Sequence, residues 1–216
     1  MALAAGMSAI AGCGKAPPAG RVPHPSPIAG RVASDDADAV VLADTPFELT
    51  DQTGARFSSE ALDGKVWMGA IFFANCPGPC FRENQAIAEI LEQIDHPDFM
   101  VVSLTCDPDN DSPEALRRYA ARFGADPSRW KFLTGDMDTI TRVGMGAWKL
   151  PVEVGVHSER GVVFDRQGRL RGGYHLLQQD RVELLKKLIR EVLAEDAPSP
   201  AGEPGGRAAG GPEQRP

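Results

Sequence analysis

"KVWMGAIFFANCPGPCFRENQAIAEILEQI", residues 65–94, carries the reading on which the fold turns. Residues 65–73 form a near-continuous apolar run, the pattern of a β-strand buried on both faces. Downstream, Ile87, Ile90, Leu91 and Ile94 recur at i, i+3, i+4 and i+7, the single apolar stripe of a surface helix. Cys76 and Cys80 stand where the strand gives way to the helix, with Pro77, Gly78 and Pro79 between them. In open α/β sheets this end of the strands is where functional groups collect.

The flanking sequence continues the alternation. Residues 47–57 (FELTDQTGARF) read as a short hairpin around Thr53-Gly54. Residues 99–106 are a second buried strand, and Ser112-Pro113-Glu114 starts a helix with a Ser cap and Pro in the first position. Leu116, Tyr119, Ala120 and Phe123 supply that helix's core face. A strand at 130–133, a helix over 136–148 and a hairpin turning at Gln167-Gly168 follow. Asp180 and Glu183 occupy capping-box positions for a last helix with Val182, Leu185, Ile189 and Val192 inward. This order predicts an α/β fold of thioredoxin-like arrangement. Its central sheet is mixed, parallel in the middle with a closing antiparallel hairpin, flanked by helices and extended by extra N-terminal strands.

The domain is expected over 41–196, because both ends change composition. Ten of the twenty residues 197–216 are Pro or Gly, which predicts a disordered tail. Residues 14–40, with Pro17, Pro18, Pro23, Pro25 and Pro27 ahead of Asp35, Asp36 and Asp38, read as a disordered linker. Residues 1–13 are small and apolar, and Ile10-Ala11-Gly12-Cys13 resembles a bacterial lipobox, although no Lys or Arg precedes it. That resemblance implies lipidation at Cys13 and a membrane-tethered domain outside the cytoplasm. With 23 Lys and Arg against 30 Asp and Glu, and no basic run, nucleic-acid binding is disfavoured.

The cysteine pair supports a reactive dithiol. A helix N-terminus favours thiolate over thiol, and thiolate is the form that binds soft metals and exchanges disulfides. Spacing alone does not choose between these roles. A copper-type site needs a further donor, for which imidazole is suited. His24 lies in the linker, His96 in a turn and His175 at the end of the hairpin, while His157 precedes a core strand and could approach the cysteines. Met137 and Met145 read as core or helix-face residues rather than thioether ligands.

Taken together, Cys76-x-x-x-Cys80 after one strand, Asp107-Pro108 with Asp111-Ser112-Pro113 after the next, and His157-Ser158 before a hairpin resemble the SCO/SenC copper-protein family. The resemblance covers 44–193. It implies a thioredoxin-like metallochaperone, not a turnover enzyme, that binds one copper, Cu(I) or Cu(II), through Cys76, Cys80 and His157. It further implies a role in assembling the dinuclear copper centre of cytochrome c oxidase subunit II, or service to another extracytoplasmic thiol or copper client. Oxidation to a Cys76–Cys80 disulfide would abolish copper binding.

Four positions depart from the family pattern. Phe81 stands where a proline usually follows the second cysteine, Asn110 replaces an arginine, and Val156 stands where an aspartate often precedes the histidine. Cys106 occupies a position usually apolar, either as a core residue or as a third thiol beside the site. Asp107 is either a turn residue or a neighbour of the metal. The competing function is a metal-independent extracytoplasmic thiol–disulfide oxidoreductase or redox-signalling protein. A peroxiredoxin-type peroxidase is disfavoured, because Phe73 stands where such enzymes need Thr or Ser.

Overall fold

The computed structural model describes residues 30–31, 45–154 and 158–195. Two parallel strands form the centre, β4 (Val66–Phe72) and β5 (Phe99–Thr105), with every residue of both buried. They pair from Val66 opposite Phe99 to Phe72 opposite Thr105, so their carboxyl ends finish level. β6 (Trp130–Thr134) runs parallel on the outer side of β5, and β7 (Arg160–Phe164) runs antiparallel against β4. β7 turns at Gly168 (φ 71°) into β8 (Leu170–His175). The N-terminal hairpin, β2 (Glu48–Asp51) and β3 (Arg56–Ser58), attaches to β6. Gly30–Arg31, inside the stretch read as linker, pair with β8 as β1. The order is β1-β8-β7-β4-β5-β6-β2-β3, the predicted mixed sheet with a parallel centre.

Strand alternation sorts the helices onto two faces. Phe72 stacks on Tyr119 of α2 (Pro113–Ala121), and Met68 lies under the Gly161 and Leu185 contact with α4 (Gln179–Glu195). α1 (Pro79–Gln93) joins this layer through Asn84 to the Tyr119 hydroxyl, 3.2 Å, and through Gln93 to Lys186 Nζ, 2.8 Å. The opposite face of β4 meets the ring of Trp148, which approaches so closely at Gly69 that a Cβ there would lie 3.0 Å from it. Trp67 stacks on Phe164, with centroids 4.0 Å apart.

Two expectations need correction. The helix over 136–148 breaks into α3 (Met137–Thr141) and a π-helical turn, Arg142–Ala147. Gly144 in that turn presses on Val152 and Ile71, a long-range contact that local periodicity does not encode. The last helix starts at Gln179, so Asp180 lies inside its first turn instead of capping it, and Glu183 bonds Lys186. Met137 and Met145 are on a helix face but not in the core, and Met145 is 55% exposed.

Candidate metal and dithiol site

The loop between β4 and α1 carries the dithiol at the carboxyl end of the central strand. α1 begins without a side-chain cap, with Pro79 first and Gly78 before it. The Cys76 sulfur takes part of that role, accepting the Cys80 N–H at 3.4 Å. Cys76 is half-buried whereas Cys80 is 1% exposed, and neither forms a disulfide. The helix N-terminus was expected to favour thiolate at both positions. At Cys80 burial wins: desolvation first, then the hydrogen bond with Cys76, hold its pKa far above the ordinary thiol value. Cys76 is therefore the sulfur that incoming molecules meet, and Cys80 is the one that waits behind it.

A buried polar network ties this loop to the end of β5. Asp111, 0% exposed, accepts the Ala74 N–H at 3.1 and 3.3 Å and the Thr105 hydroxyl at 2.5 Å. Thr105 Oγ1 in turn accepts the Asp107 N–H at 2.9 Å. Burial raises the Asp111 pKa, and the Thr105 and Ala74 hydrogen bonds oppose that rise. Asp107 points its carboxylate at Asn110, whose Nδ2 lies 3.0 Å from both oxygens. Where the family pattern has a cation, this chain thus has a neutral clamp on Asp107.

Cys106 follows directly after β5, its N–H on the Phe72 carbonyl at 2.9 Å and its side chain 1% exposed. Burial, then the neighbouring Asp111, pushes its pKa up to about 12, and Cys76 contributes more weakly. Its surroundings are those of a core thiol lying near the site. Phe81 is held by the end of α2, with the Arg122 guanidinium 4.7 Å above its ring and Phe123 at 5.2 Å. The position that departs from the family pattern is thus filled by a cation–aromatic contact.

The candidate residues Cys13 and His157, with His24 and Val156, lie outside the described residues, as does the stretch 197–216 read as a disordered tail. The residues that follow His157 are described. Glu159 adopts φ 47°, and its carboxylate pairs with His175 Nε2 at 2.8 Å. Ser158 Oγ is buried without a hydrogen-bond partner. Among the described residues no group of three or more His, Cys, Asp or Glu could hold a metal. The softness of the two thiols fits copper, and metal binding would displace the proton that burial keeps on Cys80.

Sequence reasoning missed Glu83. It lies on α1, 3% exposed, with Oε1 unpaired, and burial followed by the proximity of Glu159 raises its pKa to about 7. The signal was present: Glu83 precedes Ile87 by four residues and extends the apolar stripe one turn toward the cysteines.

The SCO1/SenC family model matches residues 36–193. A SCO1 protein homolog of Bacillus subtilis is 32% identical over 92 residues, 42% of this chain and 48% of that protein, so the match spans about half the relative's length. A SCO1/SenC family lipoprotein from Bacillus anthracis has a similar structure, at TM-score 0.62 and 27% identity, covering 68% of this chain and 93% of that one. Bradyrhizobium japonicum ScoI with copper bound aligns at TM-score 0.54 and 26% identity, covering 67% and 96%. No helix among the described residues is long and apolar enough to cross a membrane. With its dithiol at the strand-to-helix junction of this thioredoxin-like fold, and with the family model matching most of its length, the chain belongs to the SCO1/SenC family.

Proposed function

We propose that this protein is a copper metallochaperone that binds one copper through Cys76, Cys80 and His157 and serves assembly of a copper centre of cytochrome c oxidase. The carrying observation is the asymmetric dithiol, half-exposed Cys76 bonded to buried Cys80, at the site-bearing end of a Sco fold. Copper is cargo in this scheme. Cys76 meets it first, Cys80 gives up its proton to become the second sulfur donor, and His157 completes a set that suits Cu(I). Asp111 holds the loop through Ala74 while the sulfurs change partners. The ion contributes only its preference for soft donors, which makes the site selective. A lipid on Cys13 would keep the domain at the outer surface of the cytoplasmic membrane, and subunit II of the oxidase is the natural client.

The same asymmetry favours a second reading, thiol–disulfide exchange without metal. Cys76 would attack a client disulfide, and Cys80 would then displace the client sulfur, leaving a Cys76–Cys80 disulfide and a reduced client dithiol. Anaerobic Cu(I) titration of the reduced protein separates the two. We expect one copper per chain and a large loss of affinity in both Cys80→Ser and His157→Ala. Unchanged affinity in His157→Ala would sink the three-ligand site. Normal disulfide reduction by that variant, with copper binding lost, would show that the two activities are separable.

A further inference from the structure

We propose that Arg122 is a docking anchor for a partner protein that presents a carboxylate beside its own reactive cysteine, bringing that cysteine to Cys76. The inference deepens the reading above and rests on Cys76 being the sulfur that incoming molecules meet. The Arg122 guanidinium lies 4.7 Å from the centroid of the Phe81 ring and 5.6 Å from that of Tyr119. Both rings are tied to the dithiol. Phe81 follows Cys80 in the first turn of α1, where the Cys80 N–H donates to the Cys76 sulfur at 3.4 Å. Tyr119 is joined to the same turn by Asn84, whose amide donates to the Tyr119 hydroxyl at 3.2 Å and to the Cys80 carbonyl at 2.7 Å. The cation is therefore laid against the turn that carries the dithiol, and two aromatic faces hold it there.

What Arg122 lacks is an anion. Arg118, one turn earlier on α2, is taken by Glu114 at 2.7 Å, and Arg129 by Asp95 at 2.9 Å. Among the described residues the Arg122 side chain has no ion pair or hydrogen bond, nor has that of Arg82, which is exposed next to Phe81. The chain holds 30 Asp and Glu against 23 Lys and Arg, so Arg122 is not left open for want of carboxylates. The carboxyls around the dithiol loop are turned elsewhere. Asp111 is buried on Ala74 and Thr105, Glu83 is buried, and Asp107 faces Asn110. A guanidinium stacked on a ring keeps its N–H edge free, and that edge matches a carboxylate with two parallel hydrogen bonds. An acidic partner is the one this surface fits: its carboxylate meets Arg122, and Arg82 adds to the attraction.

The probes are two peptides that differ only in a Glu or a Gln beside a cysteine carrying nitrothiobenzoate in disulfide linkage. On the reduced full chain the Cys76 thiolate attacks the peptide sulfur and expels the coloured aryl thiolate. Cys80 then displaces the peptide thiol, its proton passing to the peptide sulfur, and the Cys76–Cys80 disulfide is left. The net charge of −7 would by itself slow the Glu peptide. At low salt the Glu peptide should nevertheless react at least about threefold faster than the Gln peptide, a preference that fades as salt is raised. It should vanish in Arg122→Gln and reverse in Arg122→Glu, while the rate with the Gln peptide and the Cu(I) affinity stay at the parent's level. The proposal is overturned if the parent shows no preference, if Arg122→Gln keeps it, or if Arg122→Gln slows both peptides alike. If Cys76→Ser releases the aryl thiolate as fast as the parent, the Cys76 reading fails and the anchor with it. The copper reading stands or falls separately, by the His157→Ala titration.

Discussion

Asp111→Ala should loosen the loop that carries Cys76 and destabilise the domain by about 3 kcal/mol. The Asp111 carboxylate accepts the Ala74 N–H and the Thr105 hydroxyl, and both contacts join the end of β4 to the end of β5. Alanine leaves two donors without their acceptor, at about 1–3 kcal/mol apiece. Part of that loss is offset, because the carboxyl itself resists burial, as its raised pKa shows. A net loss of about 3 kcal/mol corresponds to about 6–12 °C in Tm for a domain of this size. Urea unfolding followed by fluorescence reads it directly, since Trp67, Trp130 and Trp148 are all buried. Asp111→Asn keeps one oxygen for Ala74 and should lose only about 1–2 kcal/mol. Alkylation of Cys76 should also quicken in the alanine variant as its loop loosens. If Asp111→Ala lies within about 1 kcal/mol of the parent, or asparagine is as harmful as alanine, the network does not hold the loop.

Three further outcomes are expected. Iodoacetamide at pH 8 should modify Cys76 at least about tenfold faster than Cys80 or Cys106, by peptide mapping, because burial keeps the latter two protonated; preferential loss of Cys80 would contradict this. Folding raises the Glu83 pKa from 4.5 to about 7, so the native state binds the extra proton and stability falls as pH rises through that window. Glu83→Gln should lack this fall and gain up to about 3 kcal/mol on the parent between pH 4 and pH 8, measured by denaturant titration at both. Gly144→Ala would place a Cβ 2.2 Å from Val152 Cγ2, and overpacking there should destabilise by about 1–3 kcal/mol in the same assay; a neutral result would mean that Val152 yields freely.

The central strands were legible because burial on both faces leaves one signature, an unbroken apolar run, and β4 and β5 follow it to within a residue. α1 was legible because Ile87, Ile90, Leu91 and Ile94 all turn inward as their spacing demands. The cysteine pair was legible as a pair, but not its asymmetry. A thiol pKa depends on how deeply the sulfur lies, and the burial of Cys80 comes from tertiary packing that residue spacing does not encode. Glu83 was overlooked for a related reason. A glutamate on a helix is ordinarily solvated, and only the layer formed by α1, α2 and α4 reveals that this one is not. The π-helical turn was hidden because its cause, the approach of Val152 and Ile71 to Gly144, lies in tertiary contact.

The two-residue strand β1 has a consequence for how the protein behaves in a crowded solution. β8 would otherwise present its outer backbone groups along a stretch that includes Gly172 and Gly173, where no side chain stands guard. Gly30 and Arg31 occupy that rim, and at the far rim β3 is only three residues long and begins with Arg56. Short, covered or charged rims are how natural sheets avoid zipping onto one another. A shortened chain beginning at residue 45 would keep the dithiol and most of the core, yet would bare the β8 rim to a second copy. Residues far from the sulfur chemistry therefore help to keep each domain separate.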